Sequence, residues 1–230
     1  MLGCVVSYEE QTRWYMDRGR CFVEHLMPTL RGKSVVWHRT AIMGLQGIVS
    51  SQAILPSDPN THPSRNPGCA ADKLHMVPLF DFDVPSLDQI YWAAGNDWEG
   101  FLNPHLGEQG PVVLLRVPVE RLDGSRLKRQ TDPDIAEYLR TNLDHRKILH
   151  VEAWHDGPIP WGSIDAALAV HQAYGAETQF VPLDLSNAIA DAERLGELWD
   201  VEYETARQAD IEKDPEALRI TPGFYRGGNL

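Results

Sequence analysis

The chain has 230 residues, of which 43% are hydrophobic and 23% charged, a composition typical of one globular domain with a core of ordinary size. Its net charge of -12 is concentrated in residues 151–230, which carry 15 acidic and 5 basic side chains, and this argues against broad non-specific binding to nucleic acid. The 3 cysteines have no metal-binding spacing and no apolar run is long enough to cross a membrane, so we expect a cytoplasmic protein, or one delivered into a target cell.

The first third of the chain predicts a helix, a strand and a second helix in that order. Apolar residues recur at helical spacing over residues 8–30, and Pro28 is expected to end that helix. Residues 34–38 are a short apolar run of strand type, and the hydroxyl group of Thr40 is expected to cap the helix that follows. A proline-rich loop is expected over residues 57–69.

The rest of the chain predicts short strands separated by few helices. In chain order these are residues 74–82 (strand), 87–94 (helix), 111–119 (strand), 133–142 (helix), 147–154 (strand) and 186–209 (acidic helix). Such an irregular order favours an α+β fold over a doubly wound parallel sheet. Because acidic residues dominate near the C-terminal end, we divide the chain into an α+β catalytic-type domain, residues 1–183, and an acidic helical extension, residues 184–230, packed on the domain or on a partner.

Glu152 interrupts an apolar, strand-like stretch that runs from Ile148 to Trp154. Glutamate is depleted in strands, and its burial is costly unless the carboxylate is paired or faces a cleft. Glu152 is therefore either an outward-facing, solvated side chain or the carboxylate of a site.

His38, Arg39 and Thr40 form a second polar group in an apolar context. On a continuous strand His38 and Thr40 share one face and Arg39 lies on the other, whereas all three turn into a cleft if the strand ends at His38. Arg39 beside a helix N-terminus would suit a phosphate group, because the guanidinium and the helix dipole act together. The alternative is a hydrogen-bonded core histidine and a capping threonine.

Other kinds of site have weaker support in the sequence. The chain has no G-x-S-x-G motif to mark a serine nucleophile, and its closest histidine pair, His150 and His155, lacks the spacing of a metal site. We therefore expect no metal. Basic residues between Arg121 and Lys147 could line a groove, but acidic residues lie among them, and this pattern favours a solvated surface of mixed charge.

Three segments in order resemble the ADP-ribosyltransferase superfamily, and most closely its DarT-like branch of DNA-modifying toxins. Val36–Thr40 followed by Gly44–Pro56 is similar to the family's opening strand, which ends in His-x-Thr, and to the helix after it. Met76–Phe82 is similar to the next family strand, and Val151–Trp154 followed by Pro158–Ile164 is similar to the segment that carries the catalytic glutamate.

Two positions depart from the family pattern. Gln52 stands where glycine is usual, and Asp83–Ser86 contains no counterpart of the arginine that the DarT-like toxins carry after their second strand. The resemblance therefore supports the fold and the use of NAD better than it supports modification of thymidine in DNA.

The resemblance implies a split, mostly antiparallel sheet with flanking helices, and NAD bound across it as a substrate. Glu152 would be catalytic, because its carboxylate would stabilise the positive charge that develops as nicotinamide leaves. The residues implied to bind NAD are a histidine, an arginine, a threonine and aromatic side chains: His38, Arg39, Thr40, Phe80, Phe82 and Tyr91.

The leading hypothesis is thus an NAD-dependent ADP-ribosyltransferase-like enzyme, a toxin or effector. It would transfer ADP-ribose to a macromolecular acceptor, nucleic acid or protein, and an antitoxin or immunity protein would be a natural partner. One alternative is a non-enzymatic acidic interaction or inhibitor protein on an α+β scaffold, which the acidic C-terminal part favours. Another is an NAD-using enzyme similar to RNA 2′-phosphotransferases.

Overall fold

A computed structural model describes Glu24 and residues 27–58, 70–83, 111–142, 151–171 and 179–213. It confirms the expected α+β class: the core is a seven-stranded, mostly antiparallel sheet with flanking helices. The strands are β1 (Val35–Ala41), β2 (Ala53–Ile54), β3 (Val77–Phe80), β4 (Val112–Pro118), β5 (Leu127–Arg129), β6 (Glu152–His155), β7 (Ile159–Pro160), β8 (Ala166–His171) and β9 (Gln179–Leu183). The helices are α1 (Met27–Leu30), α2 (Ile42–Ser51), α3 (Ala70–Leu74), α4 (Pro133–Asn142) and α5 (Ala188–Lys213).

The sheet has the strand order β5-β6-β3-β1-β4-β8-β9. The long central strands β1 and β4 pair over seven residues, from Val35 opposite Pro118 to Ala41 opposite Val112. The three segments that carry the predicted site form the neighbouring strands β1, β3 and β6. In the sheet, β3 lies between β1 and β6.

The two faces of the sheet bury different kinds of side chain. One, the helix face, is aliphatic: Val36, Leu79 and Leu115 pack there with Leu45 of α2 and Ala192 of α5. The other, the aromatic face, carries a second core cluster around tryptophan and phenylalanine rings, namely Trp37, Phe80, Phe82 and Phe180 with Met27, Leu30 and Leu114. Because strand residues alternate between faces, the face of each site residue follows from its position.

Several predicted elements are confirmed and others needed correction. Helix α4 spans the predicted residues, and β4 differs from its predicted bounds by one residue at each end. Pro28 does not end a helix but lies within α1, in a first turn where proline costs no helical hydrogen bond. Four predicted features lie wholly or partly outside the described residues: residues 8–23 and 25–26 of the first helix, the helix over residues 87–94, most of the loop over residues 57–69, and residues 147–150 of a strand.

The C-terminal acidic helix, α5, lies with its first half on the helix face, where Ala188 and Ala192 are buried. Gln46 of α2 donates a hydrogen bond from its side chain to the carboxylate of Glu193, with 2.9 Å between the two atoms. Within the described ranges, no helix is both long enough and apolar enough to span a membrane.

Candidate functional site

Glu152 lies in a row of three side chains that crosses three neighbouring strands. Phe80 of β3 is directly opposite Glu152 of β6 on one side and directly opposite Trp37 of β1 on the other. Directly opposed residues share a face, so all three lie on the aromatic face. Trp37 is buried and donates its indole N–H to the carbonyl oxygen of Leu30 at 2.7 Å, whereas Phe80 and Glu152 are half-buried.

Strand β1 is continuous through His38, Arg39 and Thr40, so the alternative in which the strand ends at His38 is wrong. Arg39 is opposite Leu114 and lies on the aromatic face with Glu152. His38 and Thr40 lie on the helix face, and both are buried. The structure thus brings Glu152, Phe80 and Arg39 to one face and turns His38 and Thr40 to the other.

The sheet has a narrow junction between β3 and β1. In the described residues one registered pair, Trp37 opposite Phe80, joins these two strands, although β3 pairs with β6 along all four of its residues. Pro78 has no backbone N–H to donate to β1. Its carbonyl oxygen instead lies 2.9 Å from Nδ1 of His38, so the imidazole bridges the two strands where their ladder stops.

The bond to Pro78 fixes the tautomer of His38. A carbonyl oxygen only accepts, so Nδ1 carries the proton and Nε2 keeps its lone pair as an acceptor. The pKa of His38 is lowered from 6.5 to about 4: burial is the largest cause, the bond to Pro78 opposes it, and the charge of Arg39 adds a smaller lowering. His38 is therefore neutral at physiological pH and can accept a hydrogen bond from a hydroxyl group.

Thr40 does not cap α2, contrary to the sequence-based expectation. The N-cap residue is Ala41, and no side chain caps the helix. The hydroxyl group of Thr40 donates to the carbonyl oxygen of Ala41 at 3.3 Å and lies against the Cα of Gly44, where a Cβ atom would collide with it. Thr40 thus sets the distance between β1 and the first turn of α2.

Asp81, which sequence reasoning did not select, ties together the segments around Glu152. Its backbone N–H donates to the carbonyl oxygen of Val151 at 2.7 Å, immediately before Glu152. Its carboxylate accepts from Nε of Arg129 at 2.8 Å and from the backbone N–H of Asp83 at 3.0 Å. No sequence motif marks this link, because its partners come from segments far apart in the chain.

The remaining aromatic candidates differ in accessibility. Phe82 is fully buried in the aromatic core cluster, and so it is less available to a ligand than Phe80. Tyr91 lies outside the described residues. The expectation of a mixed-charge surface between Arg121 and Lys147 has support in ion pairs such as Lys128 with Asp134 and Arg140 with Glu137.

His155, one of the pair considered for a metal, is buried at the end of β6. Its Nδ1 donates to the carbonyl oxygen of Gly157 at 2.9 Å, and its Nε2 is buried with no hydrogen-bond partner. Among the residues that the structure describes, no group of three or more His, Cys, Asp or Glu side chains is placed to hold a metal ion.

Comparisons with protein-family models, with curated protein sequences and with solved structures found no match to this chain. The family resemblance of the three motifs therefore stays a prediction from sequence.

Proposed function

We propose that the protein is an NAD-dependent ADP-ribosyltransferase-like enzyme that cleaves the nicotinamide glycosidic bond and transfers ADP-ribose to a macromolecular acceptor. One observation carries the proposal: Glu152, from the segment expected to hold the catalytic glutamate, is half-buried on the aromatic face beside Phe80. The resemblance requires three motifs that are far apart in sequence, and they come from three adjacent strands.

Each residue on the aromatic face suits one part of NAD. The carboxylate of Glu152 would stabilise positive charge at the anomeric carbon, which is the demand that glycoside hydrolysis also makes. The ring of Phe80, directly opposite, would stack on the nicotinamide. Arg39 lies on the same aromatic face as Glu152 and Phe80 and would pair with the diphosphate.

His38 and Thr40 act on NAD only if the ligand enters the junction between β1 and β3, because both side chains lie on the helix face. The lone pair of Nε2 makes His38 an acceptor for a ribose hydroxyl group in that position. If no ligand enters there, the two residues support the site by holding β1 against β3 and α2. The proposal therefore rests first on Glu152, Phe80 and Arg39.

The experiment is release of nicotinamide from labelled NAD in the presence of whole-cell extract, with nuclease and protease treatments to identify the class of acceptor. We expect Glu152→Gln to lower the rate by roughly 100- to 1,000-fold, in line with other electrostatic stabilisers of transition states. Glu120→Gln, at an exposed glutamate in the turn after β4, is the matched control and should retain the wild-type rate. Full activity in Glu152→Gln, or none in the wild-type protein, contradicts the proposal.

A further inference from the structure

Helix α5 has two halves with different surroundings. In the first half Ala188 and Ala192 are buried in the core, and Leu195 and Trp199 pack against it. From Asp200 to Lys213, every residue whose burial is described is exposed. Most helical stability in proteins comes from tertiary packing of an apolar face, so a partner that packs on exposed apolar side chains here would stabilise α5.

Two apolar side chains lie on the solvent side of this helix, where the second half begins. Leu198 is 49% exposed and Val201 is 66% exposed, and these are two of the three large hydrophobic residues that are exposed in the described part of the chain. They are three residues apart, and Thr205 follows four residues later, which is the spacing of the seam in a pair of packed helices. The third exposed residue, Met43, belongs to α2.

Acidic residues flank this short stripe. Glu197, Asp200, Glu202 and Glu204 are exposed around Leu198 and Val201. Over its whole length α5 has 8 acidic and 3 basic residues. The stripe therefore offers an apolar contact inside a strongly negative field.

We propose that Leu198, Val201 and Thr205 dock a basic amphipathic helix of another protein, with its apolar stripe on this seam and its basic residues beside the flanking carboxylates. A second copy of the chain is disfavoured, because it would bring an identical acidic helix against this one. Anionic membranes and nucleic acid are disfavoured for the same reason. The inference does not depend on the proposed enzymatic function.

The test uses the full chain and a fluorescently labelled helical peptide of leucine and lysine whose leucines form one stripe. A peptide of identical composition with the leucines spread around the helix is the control for charge alone. In anisotropy titrations we expect the striped peptide to bind the wild-type protein at least tenfold more tightly than the control peptide, and less tightly as salt is added.

The variant Leu198→Gln/Val201→Gln should lose that tenfold preference, whereas Met43→Gln should keep it. Equal affinity for both peptides, or an unchanged preference in the double variant, overturns the proposal. Analytical sedimentation tests whether a second copy of the chain occupies the seam instead. If the wild-type protein associates with rising concentration and the double variant does not, the seam belongs to a second copy, and this would also overturn the proposal. Far-ultraviolet circular dichroism verifies that both variants keep the wild-type helix content.

Discussion

Phe80 and Glu152 face each other across the β3–β6 ladder, and the same phenylalanine faces Trp37 across the junction with β1. Phe80 therefore lies between the carboxylate of Glu152 and the junction of β3 with β1. Under the proposed function, the ring of Phe80 would be the first aromatic contact for a group bound at Glu152. Phe82, the other described candidate, is buried instead.

Replacement of Phe80 tests this role. We expect Phe80→Leu to raise the KM for NAD about fivefold with a smaller change in kcat, because an aromatic pair is worth about 1 kcal/mol beyond the apolar area that leucine also buries. Phe80→Tyr, which keeps the ring, should retain a KM near that of the wild type.

The matched control is Phe180→Leu, in edge strand β9. Phe180 packs against the same core cluster and is also half-buried, but it lies at the far end of the sheet from Glu152. An equal rise of KM in Phe180→Leu would show a general loss of packing and would contradict the contact with NAD.

His38 should make the stability of the protein depend on pH. Its pKa in the folded protein, about 4, lies below the ordinary value of 6.5, so the unfolded chain binds more protons between these two values. The contribution of neutral His38 to the unfolding free energy is therefore fully present above pH 6.5 and is lost as pH falls towards 4. A difference of roughly 2.5 in pKa corresponds to about 3 kcal/mol of unfolding free energy.

Urea unfolding between pH 4 and 7.5 measures this effect. In His38→Gln the amide can still donate to the carbonyl oxygen of Pro78 but does not titrate, so that part of the pH dependence should disappear. Identical pH profiles for the two proteins would show that His38 does not remain neutral in the folded state over this range.

The sequence was sufficient to predict the elements with strong local patterns. Strand β4 is a long apolar run, and α4 begins at Pro133, which fits a first helical turn. Two edge strands were missed: β5 has three residues, two of them basic, and β9 contains Pro182. Both are paired on one side only, where short length, charge and proline are tolerated: β5 has little apolar signal, and Pro182 argues against a strand in β9.

The sequence selected residues for the candidate site but did not define how they are arranged. The motifs selected Glu152 and Phe80, yet only the register shows that they are directly opposed. The alternation that separates Arg39 from His38 and Thr40 was expected for a continuous strand, but the sequence could not locate the end of β1. Asp81 could not be selected from the sequence, because its role arises from contacts with Val151 and Arg129, two residues that are distant from it in sequence.

Asp81→Ala should destabilise the protein by about 1–3 kcal/mol, because it removes the partner of Arg129 and the acceptor for the N–H of Asp83 at a largely buried position. Arg129→Met should cost less, since the Arg129 side chain is 43% exposed and methionine keeps its apolar stem. Chemical denaturation measures both. The control Asp134→Ala breaks an exposed pair with Lys128 and should change stability little. A loss in Asp81→Ala no larger than in Asp134→Ala would contradict the tie that we assign to Asp81.

Gly44→Ala tests the contact between β1 and α2. Alanine is normally better than glycine inside a helix by about 1 kcal/mol, but here its Cβ would collide with the hydroxyl oxygen of Thr40. Thr40 is buried and its side chain is stiff at χ1, so we expect a net loss of about 1–2 kcal/mol in unfolding free energy.

In Thr40→Ala/Gly44→Ala the hydroxyl oxygen is gone, and a double-mutant cycle should show a favourable coupling between the two changes. Thr40→Val/Gly44→Ala keeps an atom at that place and should show little coupling. If Gly44→Ala is neutral or stabilising in the wild-type background, α2 can move away from β1 at no cost, and Thr40 does not set their distance.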